Sequence, residues 1–385
     1  MTTLPLLPVT MVGSWPRPAP LLRAQRERRL GRLDPAACDR IADGAVVDLL
    51  RLQEDLGVDL VTDGELRRDN FYSFVADKLA GVRLMTLAEM LEIIEDKAAF
   101  ERILQTLDVP AYSISNPTCV GRVERRAPLA VDDLRFARRH TSRPIKVTLP
   151  GPYLLTRAMF VKEATGAVYR SKEDLAEDVV RLLVDEIAEL RAEGVDFIQL
   201  DEPVLTELVF AQGKTRTFMC AALASTQDPT AELELAVQLL NRVLPAAGDV
   251  RTGLHVCRGN WSQDESTLLR GGYAPLRPWL DRIGVDQLVL EFATERAGAL
   301  LAFEGKELGL GVVNPRTARV ESVDEVRASI EAALRLYPPE RVFLNPDCGF
   351  ATFSNRPVNE TGVAIRKMQT VVEAARSLRG RVVAA

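Results

Sequence analysis

Short apolar runs alternate with longer amphipathic stretches along almost the whole chain, and this alternation limits the fold more than any other feature. The runs fall near residues 8–13, 58–62, 145–149, 196–200, 251–256, 286–291, 308–313 and 341–345. Between them, Ser171 to Glu193 repeats apolar side chains at three- and four-residue spacing through Leu175, Val179, Leu182, Leu183, Ile187 and Leu190, the signature of one helix face. Val323 to Leu336 reads the same way behind Ser322, an N-cap residue type. Strands and helices in strict alternation predict parallel βα units. Eight such strands fit a (β/α)8 TIM barrel better than an open doubly wound sheet, because no Gly-x-Gly-x-x-Gly turn follows the first strand.

One connection is too long for a simple loop. Between the second and third strands, about 80–140, the chain holds a helical run from Leu87 to Leu107. Two short segments follow, Tyr112 to Ser115 and Cys119 to Val123, which read as a hairpin. Such an insertion at the mouth of a barrel serves as a lid, a binding element or an oligomer contact. No low-complexity linker divides the chain, so residues 1–385 are expected to form one barrel with an elaborated loop. Its oligomeric state stays open.

The polar residues that carry chemistry gather at the carboxyl ends of the predicted strands, the face where barrels build active sites. The chain has only two histidines. One is His255, two residues before Cys257 at the end of the fifth strand. Glu291 ends the sixth strand, and Cys348 follows the eighth in Asn345-Pro346-Asp347-Cys348-Gly349. One imidazole, two thiols and one carboxylate are ligand types that make a four-coordinate zinc site. The competing reading is packing, since cysteine in an apolar run is most often buried filler. Shared placement at strand ends favours metal, and Glu291 is the weakest member.

Other strand ends are polar too. The first closes in Gly13-Ser14-Trp15-Pro16-Arg17, a rigid turn that aims Ser14 at the mouth, or simply a strand-to-loop turn. The second ends in Asp63-Gly64-Glu65 and the fourth in Asp201-Glu202-Pro203. Carboxylates there suit a cationic substrate group. For Glu65, an ion-pair network with Arg67 and Arg68 is the serious alternative.

Taken in order, Val-Gly-Ser, Asp-Gly-Glu, Leu-Asp-Glu-Pro, His-x-Cys, a glutamate and Asn-Pro-Asp-Cys-Gly resemble the cobalamin-independent methionine synthases from Val12 to Gly349. The resemblance implies a (β/α)8 catalytic barrel with Zn2+ on His255, Cys257, Glu291 and Cys348. It implies homocysteine held by Ser14, Glu65 and Asp201. The substrate thiolate, activated on zinc, is then the nucleophile, so no side chain is assigned that role. Two departures stand out. Family members typically carry a second barrel in front, and an Asp-x-His pair after the seventh strand. Here that stretch reads Asn314-Pro315-Arg316, and neither Asn314 nor Arg316 shuttles a proton near neutral pH.

The departures put the donor in question. Single-barrel relatives include forms using a methyl-corrinoid, which makes a corrinoid protein a candidate partner, and the epoxyalkane–coenzyme M transferases. Arg17, Arg258 and Arg316 suit an anionic donor or a sulfonate acceptor. The main expectation is methyl transfer to homocysteine; the alternative is an epoxide opened by a zinc-activated thiol. A structural zinc module and a metal-free decarboxylase-like barrel are the remaining readings. A net charge of −5 gives no reason to expect nucleic acid or an anionic membrane as partner. Five scattered cysteines and an amino terminus without a basic-then-apolar pattern point to a cytoplasmic, reduced protein.

Overall fold

Six of the eight apolar runs form one continuous parallel sheet. The computed structural model describes residues 4–95, 97, 115–210, 228–260, 262–264, 268–354 and 357–382. Its strands are β1 (Leu79–Thr86), β2 (Ser115–Arg125), β3 (Lys146–Pro150), β4 (Phe197–Asp201), β5 (Arg251–Val256), β6 (Gln287–Leu290), β7 (Glu307–Val313) and β8 (Val342–Pro346). Strands β3 to β8 lie side by side in chain order.

The first two expected strands are not ladders. Residues 8–13 and 58–62 make only single parallel bridges, Val9 with Leu344, Thr10 with Leu60 and Val61 with Ile145. A few main-chain bonds remain, among them Thr10 N to Leu344 O at 2.9 Å, Asp59 N to Val9 O at 2.9 Å and Lys146 N to Val61 O at 2.8 Å, and side chains supplement them. Asp59 Oδ2 accepts from the Val9 amide at 2.8 Å, and the Thr10 hydroxyl donates to Leu60 O at 2.8 Å. Gln53 accepts from the Thr62 amide and donates to its carbonyl, at 3.0 and 2.7 Å. Buried backbone groups must find partners, and here they find them partly in the neighbouring strands and partly in side chains. The three bridges carry the ring from β8 back to β3 and close a TIM barrel.

Helices cover the sheet where periodicity placed them. Lys172–Ala192 starts at Ser171, whose hydroxyl accepts from the Asp174 amide, and it buries Leu175, Val179, Leu182, Leu183, Ile187 and Leu190. Val323–Leu334 starts in a capping box between Ser322 and Glu325. At the amino-terminal end of the barrel, Leu60, Phe197 and Phe343 form a separate apolar plug.

The insertion corrects one expectation. Ser115 and Cys119 to Val123 lie in the same strand, β2, and its antiparallel partner is β1, with Val82 opposite Cys119 and Thr86 opposite Ser115. Burial along β1 explains the pairing: Leu79 and Met85 point inward while Arg83 faces water. Tyr112 to Ile114 and Leu107 lie outside the described residues, as does Cys220. The helix starting at Leu87 is described as Leu87–Ile93. Among the described residues no helix is long and apolar enough to cross a membrane.

Candidate active site and metal centre

Period-two alternation along β5 turns His255 and Cys257 to the same side of the chain, and both are buried at the carboxyl end of the barrel. Cys348, just beyond β8, meets them there. The ligand atoms of His255, Cys257 and Cys348 all lie within 4.8 Å of one another, and the two sulfurs are 4.0 Å apart. A tetrahedral zinc with bonds of about 2.3 Å would set two sulfurs about 3.8 Å apart. His255 Nδ1 donates to Val289 O at 3.1 Å, which leaves Nε2 as the nitrogen available to a metal once its proton is displaced. That Nε2 is buried and has no hydrogen-bond partner. An orphaned imidazole nitrogen beside two thiols is the donor set a soft divalent ion requires.

The three groups already bias each other's protons. The hydrogen bond from Cys348 and the His255 charge pull the Cys257 thiol down to about 5, against its burial. Cys348, keeping that proton and buried, is pushed well above the usual thiol range. Burial disfavours the His255 imidazolium, but the Cys257 thiolate and the Asp201 and Glu291 carboxylates outweigh it and raise His255 to about 9.

Glu291 is not part of this group. It is fully buried, with Oε2 accepting from Arg258 Nη1 and Oε1 from Arg296 Nη2, each at 3.1 Å.

Ser14, Glu65 and Asp201 line one small pocket with His255, Cys257 and Cys348. Glu65 holds a left-handed backbone, φ 54°, which costs a non-glycine residue on the order of 1–3 kcal/mol and points to function. Its Oε1 accepts from the Thr148 hydroxyl at 2.8 Å, with Arg68 Nη1 at 3.9 Å. Its Oε2 is buried without a partner. The expected brace is therefore half present: Arg68 approaches Glu65, whereas Arg67 pairs with Asp43 and Asp133. Asp201 Oδ1 accepts from Gln199 Nε2 at 2.8 Å, and Gln199 Oε1 accepts from Lys146 Nζ at 3.2 Å. Burial, reinforced by Glu65, raises Asp201 to about 7. Its neighbour Glu202 has a scaffold role, accepting from the Tyr153 and Leu154 amides at 2.8 and 3.0 Å.

Close approach dictates two glycines. A Cβ on Gly13 would stand 2.2 Å from Glu65 Oε1, and one on Gly349 would stand 2.1 Å from Ser14 Oγ.

The arginines are placed differently from the sequence expectation. Arg17 is buried and donates to Ala351 O, Glu65 O and Arg68 O at 2.8, 2.7 and 3.0 Å. It braces the loop under Glu65 rather than facing the cavity. Asn314 Oδ1 accepts from the Arg316 amide at 3.0 Å, and Arg316 Nε donates to Asn260 Oδ1 at 3.0 Å. Neither Asn314 nor Arg316 is among the cavity-lining residues, but Asn260 is.

Sequence reading passed over Asn260, Phe71 and Thr352 in the cavity wall, and Arg296 behind it. Asn260 stood in the His-x-Cys segment and could have been found there. Arg296 lies in a single 3-10 turn, Glu295–Ala297, past a strand end, too short for periodicity to mark it.

Comparison with known proteins agrees with this geometry. The family described as "Cobalamin-independent synthase, Catalytic domain" matches residues 7–376. A methionine synthase of Thermococcus kodakarensis is 30% identical over 98% of this chain and 94% of its own length. That of Sulfurisphaera tokodaii is 28% identical with the same coverage. Among solved structures, a B12-independent methionine synthase from Shewanella sp., in complex with selenomethionine, superposes with TM-score 0.74. It shares 23% identity and covers 99% of this chain and 100% of that one. A putative one from Listeria monocytogenes superposes with TM-score 0.69 at 18% identity, covering 98% and 99%. At those identities the structures speak for the fold, while the sequence match carries the family: the chain belongs to the cobalamin-independent synthases, as a catalytic-domain barrel.

Proposed function

We propose that this barrel transfers a methyl group to the sulfur of homocysteine, giving methionine, with a zinc ion held by His255, Cys257 and Cys348. The observation that carries the reading is the unpartnered His255 Nε2 beside two sulfurs 4.0 Å apart, in one cavity with Ser14, Glu65 and Asp201. Zinc, when bound, supplies a Lewis acid that favours thiolate over thiol at neutral pH.

The protein's own groups do the rest. Glu65 Oε2 and Asp201 are buried acceptors facing a small cavity, suited to the ammonium of an amino acid. Ser14 is placed to donate to its carboxylate. Lys146, through Gln199, orients the Asp201 carboxylate from below. Burial of the whole set strengthens each ionic contact, because little water competes with it. The amino acid portion is thus anchored at one end of the cavity and its sulfur directed to the other.

The same groups argue against a sulfonate acceptor, the epoxide–coenzyme M reading. Two carboxylates would repel it, while Arg17 is spent on carbonyl oxygens and Arg258 on Glu291. At the donor side, Arg316 cannot deliver a proton, its ordinary pKa lying above ~12. A donor that needs no protonation, such as a methyl-corrinoid protein, fits better than methyl-folate.

The test is a thiol screen by mass detection on zinc-loaded protein, offering homocysteine and coenzyme M against methylcobalamin, methyl-folate and a short epoxide. Methionine formation supports the reading. Product from coenzyme M and epoxide alone would replace it.

A further inference from the structure

Two buried polar side chains that do not line the cavity stand between its carboxylates and the cations beneath them. Thr148 and Gln199 are register partners on β3 and β4, so they share one layer of the barrel interior. Arg68 Nη1 donates to the Thr148 hydroxyl at 3.1 Å, and Nη2 to Thr148 O at 3.0 Å. A guanidinium can only donate, so the hydroxyl directs its own proton to Glu65 Oε1, 2.8 Å away. The same order repeats one strand over. Lys146 Nζ, again a donor only, meets Gln199 Oε1 at 3.2 Å, which turns the amide Nε2 to Asp201 Oδ1 at 2.8 Å. Each carboxylate is thus backed by a cation that reaches it through one neutral side chain.

Direct pairing is the competing arrangement. Arg68 is buried, its guanidinium 4.4 Å from the Phe74 ring centroid. The Arg68 amide donates to Glu65 O at 3.0 Å, so both side chains leave the same turn. Arg68 Nη1 nevertheless stands 3.9 Å from Glu65 Oε1, beyond hydrogen-bond range, with the Thr148 hydroxyl in the gap. A buried guanidinium and carboxylate this close gain by meeting, and the favoured meeting is a fork that occupies both carboxylate oxygens. As placed, Glu65 is held through Oε1 alone, and its Oε2 is buried without a partner among the described residues. Coulomb attraction falls only with the first power of distance, so Arg68 still offsets the buried charge across the hydroxyl. We propose that Thr148 is a positioning residue that keeps Glu65 from closing onto Arg68 and so holds its second oxygen open to the acceptor's ammonium. The proposal rests on the acceptor reading given above. It makes the choice of an amino acid thiol, over a thiol acid without ammonium, depend on a side chain outside the cavity wall.

The test is calorimetric binding of two thiols to zinc-loaded protein, with no alkyl donor present. One is L-homocysteine; the other is 4-mercaptobutanoate, which keeps the thiol and the carboxylate but lacks the ammonium. Thr148→Val keeps the side chain's shape and removes the hydroxyl, while Thr148→Ser keeps the hydroxyl. Thr148→Val should weaken homocysteine by roughly tenfold or more and change 4-mercaptobutanoate by less than about threefold. Thr148→Ser should stay within about threefold of wild type for both. A crystal structure of Thr148→Val should show Glu65 in direct contact with Arg68, at about 2.9 Å. Equal loss for both thiols reports a general disturbance of the cavity and overturns the proposal. So does unchanged homocysteine binding, or a Thr148→Val structure in which Glu65 keeps its distance from Arg68. Should Thr148→Val not fold, a wild-type crystal with L-methionine decides. An ammonium within about 3.2 Å of Glu65 Oε2, with Thr148 still bridging, supports the proposal, and Glu65 forked onto Arg68 refutes it. Wild-type protein that binds both thiols alike is a distinct failure, since it removes the ammonium contact and the acceptor reading with it.

Discussion

Cys257 and Cys348 stand 91 residues apart in the chain, and their sulfurs are 4.0 Å apart in the fold. One leaves β5 and the other follows β8, so only closure of the barrel brings them together. Zinc should therefore depend on both. Cys257→Ser and Cys348→Ser are each expected to lose stoichiometric zinc by elemental analysis. A double variant that keeps a full equivalent would sink the assignment.

Metal uptake should release protons in a pattern set by the three ligands. At pH 7, Cys257, lowered to about 5, is already thiolate, while His255, raised to about 9, and Cys348, raised further, still carry protons. Binding must displace both, because a metal takes imidazole and thiolate only. About two protons should leave per zinc between about pH 5 and 9, so apparent affinity falls as pH drops. Calorimetry in buffers of different ionisation enthalpy counts them. Release of one or none would contradict the coupling.

Asp201 and Glu65 should act on the acceptor and leave the metal alone. Losing one buried ionic hydrogen bond costs roughly 2–5 kcal/mol. Asp201→Ala is expected to raise KM for homocysteine strongly with zinc content unchanged. An unaltered KM, or loss of metal, would assign these carboxylates to the scaffold.

Gly13→Ala offers a steric check on the same contact. Its Cβ would lie 2.2 Å from Glu65 Oε1, so the carboxylate must move. The expected result is weakened acceptor binding in a folded, zinc-loaded protein, read by circular dichroism and KM. Wild-type KM would mean that Glu65 is not a contact.

The donor is tested by direct competition. Arg316 stands where the family's histidine is expected, so methyl-folate should give little or no methionine, and a methyl-corrinoid considerably more. Efficient turnover with methyl-folate refutes the donor argument and leaves the zinc site intact.

The gathering of the candidate residues at one end of the barrel was legible in the sequence. His255, Cys257 and Cys348 lie at strand ends, and a parallel barrel gathers all such ends on one face, so local pattern alone predicts their meeting. Ser14, Glu65 and Asp201 follow by the same logic. The βα alternation named the architecture because periodicity is a local property of the chain.

What local pattern could not supply was partner choice. Strands at 8–13 and 58–62 are reduced to single bridges, where side chains of Asp59, Gln53 and Thr10 share the backbone groups with a few main-chain bonds. The β2 segment paired with Leu79–Thr86 across the insertion, a long-range contact with no turn signal. Arg17 looked like an anion contact and serves instead to tie Glu65 O, Arg68 O and Ala351 O. Glu291 has the residue type and strand-end position of a ligand, but the tertiary fold gave its oxygens to Arg258, Arg296 and Asn260. Sequence determined which groups reach the mouth of the barrel, because strand ends converge there by geometry. Tertiary structure alone decided which buried charges face each other, because that depends on side-chain directions set by packing between distant segments.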